Sequence, residues 1–131
     1  MSAAVAFCSR QGFGVTATVV DADAQRIAML RGDTAGVHTF QSCWGKAYTA
    51  VGFAPMFKLD NNAELASRLA QFSARQPPGT LAFQPPEGMI FRAGGVGDEV
   101  IGSIGVGGAP TAEVDEACAK AGLDQIRERL K

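Results

Sequence analysis

Hydrophobic and polar positions alternate most clearly at Val15 to Val20, where β-branched residues interleave with threonine and alanine. That pattern predicts a strand. Gln25 to Arg31 sets Ile27 and Met29 against Arg26, Ala28 and Leu30, which predicts a second strand. Only Asp21 to Ala24 separates the two, so they are expected to form an antiparallel hairpin with a short acidic turn. Upstream, Ala3, Ala4, Phe7 and Cys8 fall on one helical face, and Gly12 suits a helix stop. That helix is too short to stand alone and must dock on the rest.

Downstream the period changes. Phe40, Cys43, Ala47, Ala50 and Val51 repeat at helical spacing behind Thr39, a residue type suited to capping, and Pro55 marks the end. Asn61 with Glu64 resembles a capping box and predicts a further helix with Leu65, Leu69 and Phe72 on one stripe, stopped by Gln76-Pro77-Pro78-Gly79. Thr80 to Phe83 and Met89 to Arg92 are short strand candidates. The turn Ala93 to Glu99 then leads into a strand from Val100 to Val106. One face of that strand, Ile101, Ser103, Gly105 and Gly107, is nearly bare, so either a helix or a flat ligand can approach its backbone. Thr111 is placed to cap a last helix with Glu113, Asp115 and Glu116 at its positive end and Val114, Ala117, Cys118 and Ala121 as its apolar stripe; Gly122 is expected to break it. Leu123, Ile126 and Leu130 continue as a short tail. Hairpins and short connections give an α+β fold with an antiparallel sheet carrying helices.

Composition narrows this picture. A chain of 131 residues is expected to form a single domain, 1–131, and 47% hydrophobic with 19% charged residues reads as globular. A net charge of -1 speaks against nucleic acid or an acidic membrane as partner, since both require a positive field. No apolar run approaches the ~20 residues of a membrane span. The first residues lack a basic region and a full apolar region, so no export signal is predicted. The chain as written is expected to be cytoplasmic, or periplasmic or secreted if an export signal has been removed. Cys8, Cys43 and Cys118 are odd in number and widely spaced; they signal neither a zinc site nor a disulfide framework, and are expected as small buried hydrophobes. A thiolate role at Cys43 is the alternative.

Chemistry-bearing residues gather between Arg31 and Phe53. This stretch holds the only histidine (His38), tryptophan (Trp44) and tyrosine (Tyr48), together with Arg31, Asp33 and Lys46. His38 lies just before a helix N-terminus, where the dipole disfavours a positive charge. Arg31 suits a carboxylate ligand or a salt bridge to Asp33 or Asp21; Lys46 suits a carboxylate ligand or a solvated helix face. Trp44, Tyr48, Phe53 and Phe57 suit a flat apolar ligand, a core or a subunit interface. Gly94, Gly95 and Gly97 precede a strand, whereas phosphate loops open a helix, so they read as a turn. Ser103 has no GxSxG elbow, which speaks against a serine hydrolase.

An ordered set of pieces resembles the GlcG/HbpS-like family, met also as the C-terminal domain of PduO-type proteins. They are Val19-Val20-Asp21, Arg31-Gly32-Asp33, Lys46-Ala47-Tyr48-Thr49-Ala50, Gly94-Gly95-Val96, the run Ile101 to Ala109, Asp115 and Ala121-Gly122. The resemblance spans nearly the whole chain. It implies profilin-like α/β/α layers with a five-stranded antiparallel sheet, homo-oligomers of two or more subunits, and haem as cofactor or ligand. It makes Arg31, Asp33 and Lys46 expected fixed points and adds Gly94 and Gly95 as ligand-binding candidates. The short Val96-Gly97-Asp98 turn and Cys43-Trp44-Gly45 depart from the family pattern.

With haem as ligand, His38 becomes the candidate metal ligand, with Cys43 and Met56 behind it, Arg31 and Lys46 suit the propionates, and Trp44 suits the ring. The expected function is that of a small oligomeric protein binding haem or a related flat carboxylated ligand. The alternative is an enzyme acting on a small carboxylated metabolite, with His38 or Asp33 as catalytic acid/base.

Overall fold

A computed structural model describes residues 1–59, 88–92 and 99–130. Its sheet is built from β1 (Thr16–Asp21), β2 (Arg26–Arg31), β3 (Gly88–Arg92) and β4 (Val100–Gly107). The order is β2-β1-β4-β3, antiparallel throughout. These four strands are those of the described residues. The candidate strand Thr80 to Phe83 and the helix expected from Asn61 lie outside them.

The β1–β2 hairpin forms as the alternation predicts. Asp21 accepts hydrogen bonds through Oδ1 from the backbone N–H of Asp23 (3.0 Å) and Gln25 (2.8 Å). This is the local turn chemistry that aspartate offers. β1 is buried on both faces, because it is central: Ala17 faces one layer, Thr16, Thr18 and Val20 the other. Among the described strands β2 is an edge, and it is exposed along nearly its whole length.

Helices cover both faces. α1 (Ser2–Arg10) and α2 (Thr39–Phe53) are joined in the described chain by α3 (Ala112–Asp124). α1 and α3 pack together over Val15, Ala17, Ile104 and Val106. α2 lies on the opposite face, with Ala47 and Val51 against Val20. Among the described helices, none is long and apolar enough to cross a membrane.

The bare face of β4 receives α2. A Cβ on Gly105 would stand 2.0 Å from the Cys43 carbonyl oxygen, and one on Gly107 2.8 Å from Ser42 Oγ. Ser103 donates to the Ala47 carbonyl at 2.6 Å. Of the two occupants that the strand pattern allowed, the helix is the one present.

Three local expectations are corrected. Thr39 does not cap α2: it is the first helical residue, buried, and its hydroxyl donates back to the Gly36 carbonyl. Thr16 Oγ1, 2.7 Å away, then donates to Thr39, whose own proton is committed. Thr111 occupies the N-cap position of α3 without a side-chain cap hydrogen bond. Gly122 does not break α3 but lies inside it, where a Cβ would come within 3.1 Å of both Ala4 and Ile104. Its missing side chain is the space into which α1 packs.

The cysteine expectation is corrected too. All three are fully buried, as small hydrophobes should be. Yet Cys8 and Cys118 are joined as a disulfide, with Cα atoms 5.7 Å apart across a sequence separation of 110. They lie on α1 and α3, which pack together in the fold, and spacing along the chain does not reveal that.

Candidate functional site

The connection from β2 to α2 carries the residues singled out in the sequence. Gly32 donates its N–H to the Val15 carbonyl (2.9 Å), which fixes the turn at the end of β2. Ala35 N–H returns to the Gly32 carbonyl (3.0 Å). Arg31 closes the loop: its Nε donates to the Ala35 carbonyl at 2.9 Å, a terminal nitrogen donates to the same oxygen, and the guanidinium lies 5.9 Å from the Phe40 ring centre. Arg31 thus organises its own loop, a role that neither the ligand nor the salt-bridge expectation included. Its fork has five N–H donors, and the side chain remains at the surface.

His38 sits immediately before α2 and is exposed; its carbonyl accepts the first helical bond, from Ser42 N–H at 3.3 Å. Its ring lies over Gly36. A Cβ there would be 2.7 Å from His38 Cε1 and 2.8 Å from Nδ1, so the missing side chain at 36 is what makes room for the imidazole. Asp33 is exposed on the same connection.

The structure divides the other candidates. Trp44 (37% exposed) and Tyr48 (46%) face outward from α2 with ring centres 5.2 Å apart. Arg26 of β2 reaches over the indole at 6.0 Å, a cation–π arrangement that sequence spacing could not show. Lys46, by contrast, turns inward. Its Nζ lies 2.6 Å from Asp115 Oδ2, with the two side chains only 6% and 3% exposed. The carboxylate it meets is therefore that of α3 and not that of an outside ligand, and its helix face is not solvated. Asp115 also accepts the Ala109 N–H at 3.0 Å, so the pair ties α2 to α3 around the end of β4. The sequence offered Asp115 as a favourable charge at a helix start and as one piece of the family resemblance, with no partner assigned to it.

Cys43 is fully buried, and desolvation pushes its thiol above the ordinary value of 9.0 despite the Thr18 hydroxyl and the positive charge of Arg26. It stays protonated at neutral pH, which argues against the thiolate role. Met56 is 74% exposed on the single 3₁₀ turn after α2. Gly94 and Gly95 lie outside the described residues.

The comparisons with known proteins agree with one another. A family model described as haem degrading protein HbpS-like matches residues 1–124. The crystal structure of HbpS is 36% identical and superposes with a TM-score of 0.76, over 95% of this chain and 82% of that one. A double mutant of Streptomyces reticuli HbpS gives 36% identity and a TM-score of 0.75, over 95% and 80% of the two chains. The complex of PduOC with haem, at 21% identity, TM-score 0.68 and coverage of 94% and 86%, is a likeness of fold. Among curated proteins none matches. With a match over all but its last residues, the chain belongs to the HbpS-like family.

Proposed function

We propose that this protein binds haem, or a flat carboxylated ligand like it, at the β2–α2 connection, with His38 as the iron ligand. The observation that carries the reading is the exposed His38 imidazole, seated over the side-chain-free Gly36 in a chain of the HbpS-like family. Among the described residues no three His, Cys, Asp or Glu side chains gather around a bare ion. A single imidazole would suit iron that arrives already held in a cofactor, as in haem. Haem would supply the iron; this chain would supply one imidazole nitrogen donor and nearby positive charge. The remaining N–H donors of Arg31 suit a propionate, and the Trp44–Tyr48 pair with Arg26 offers a second flat, cationic surface. The likeness to HbpS and to a haem complex of PduOC supports the ligand class.

Titration of the protein with haemin tests this. A saturable Soret shift is expected, with its position or affinity changed in His38→Ala. Wild-type protein showing no shift at micromolar haemin overturns the reading. Asp33 shares the exposed connection with His38, which keeps an acid/base enzyme as the second reading. Under that reading Asp33→Asn abolishes turnover of a small carboxylated metabolite, whereas haem binding tolerates the change.

The oligomer belongs to the same proposal. Among the described residues nothing covers the outer hydrogen-bonding edge of β2, and Ile27 (65%), Met29 (38%) and Leu30 (37%) are exposed along it. An apolar edge strand of this kind is stable in solution when another chain covers it. A second copy of this chain is the proposed cover.

A further inference from the structure

α1 has nine residues and no side-chain hydrogen bond at its N-cap. A helix of that length does not hold itself in water. Its two fully buried residues, Ala4 and Cys8, are one turn apart and face α3. Cys8 is bonded to Cys118 on α3, with a Cα separation in the ordinary range for a disulfide. Both cysteines are 0% exposed and are packed among Val15, Ala17, Ile104 and Val106. Cys43 lies across the sheet on α2, so the folded chain offers the pair no third thiol to exchange with.

We propose that the Cys8–Cys118 bond is a latch for α1, made before that helix docks and sealed when it does, and that it fits this chain to an oxidising compartment. The bond forms by exchange with the disulfide of an oxidised thiol–disulfide partner. The Cys8 thiolate attacks one sulfur of that disulfide and expels the other as a thiolate. The Cys118 thiolate then attacks Cys8 of the mixed disulfide and expels the remaining partner sulfur. Two electrons pass to the partner, and the two protons lost by the cysteines end on its two thiols. Each attack requires the incoming sulfur to reach a cysteine sulfur. In the folded protein that approach is blocked, because both sulfurs are buried under α1. Formation and reduction therefore both proceed through a state in which α1 has swung away from α3, drawing Ala4 off Gly122. In a reducing cytosol the pair stays as two buried thiols and the latch is open.

Thiol titration of the full-length protein, refolded in a glutathione redox buffer and then unfolded in guanidinium without reductant, is expected to find one free thiol per chain; finding three overturns the proposal. Reduction of the native protein by dithiothreitol is expected to reach a plateau rate as reductant is raised, since undocking of α1 becomes limiting. A rate that keeps rising in proportion shows that the bond is not sealed. The reduced wild type is expected to melt about 15 °C below the oxidised protein, and Cys8→Ser is expected to match the reduced form; an unchanged Tm in the reduced wild type overturns the latch. Quenching of its native cells in acid, followed by alkylation of the denatured protein, settles the compartment: Cys8 and Cys118 are expected to escape labelling, and labelling of both overturns that part.

Discussion

A methyl group added at position 105 would collide with the backbone of α2, with no flexible side chain to move aside. Gly105→Ala is therefore expected to lower stability by about 3 kcal/mol, read as a shift of the urea midpoint. The buried pair responds differently. Asp115→Asn withdraws the negative charge from the buried Lys46 ammonium while keeping an acceptor for Ala109, and is expected to cost about 3 kcal/mol or more. The double variant with Lys46→Met is expected to lose less than that single change, because no buried charge remains. A loss in the double variant equal to the sum of the two single losses would mean that the charges do not interact. Cys43 gives a pH prediction. Its thiol titrates higher in the folded protein than in the unfolded chain. The stability this contributes is complete below the unfolded pKa and is lost as pH rises through the folded one. Wild type is thus expected to lose more stability than Cys43→Ala between neutral pH and about pH 10.

The elements show where these residues come from. The hairpin was legible because its period of two and its acidic turn are local. α2 was legible as a helix, but not which side of it would be wet. Trp44 and Tyr48 remain outside while Lys46 goes in, since Asp115 arrives from a helix 69 residues later in the chain. β2 was legible as a strand and not as an edge, because edges are assigned by the order of strands. Charge on that edge provides the test at this scale. Ile27→Lys is expected to shift the sedimentation coefficient of the proposed assembly toward that of a single chain and to leave the fold intact. An unchanged assembly would place the contact between copies elsewhere.

At the scale of the whole molecule, two long-range side-chain ties among the described residues hold the helices: the Cys8–Cys118 bond and the Lys46–Asp115 pair. The first closes a loop spanning 110 positions, for which chain entropy alone assigns about 4.7 kcal/mol. Both ties end on α3, at Cys118 and Asp115, so this helix secures α1 on its own side of the sheet and α2 on the other. The candidate haem connection lies between β2 and α2 and is braced from below by α1, whose Val5 comes within 3.3 Å of a Cβ placed on Gly32. His38 and Arg31 are thus held on a loop whose support extends to the far helical layer.

By itself the sequence determined the place of each described strand and α-helix, the hairpin, the bare strand that admits a helix, and the stretch in which reactive side chains gather. All of these depend on neighbours within a few residues, where backbone geometry and side-chain alternation are decided. Only the tertiary structure decided that Lys46 is buried against Asp115, that Cys8 meets Cys118, that Arg31 binds its own loop, and that Arg26 covers Trp44. The Lys46 and Cys8 pairings join residues far apart in the chain, and Arg26 meets Trp44 only where strand and helix come together. Arg31 and Ala35 are four positions apart, but their bond waits on the turn that Val15 fixes from the neighbouring strand. The physical reason is the same in each case: a contact is set by which faces the packed layers bring together, and no local period encodes that.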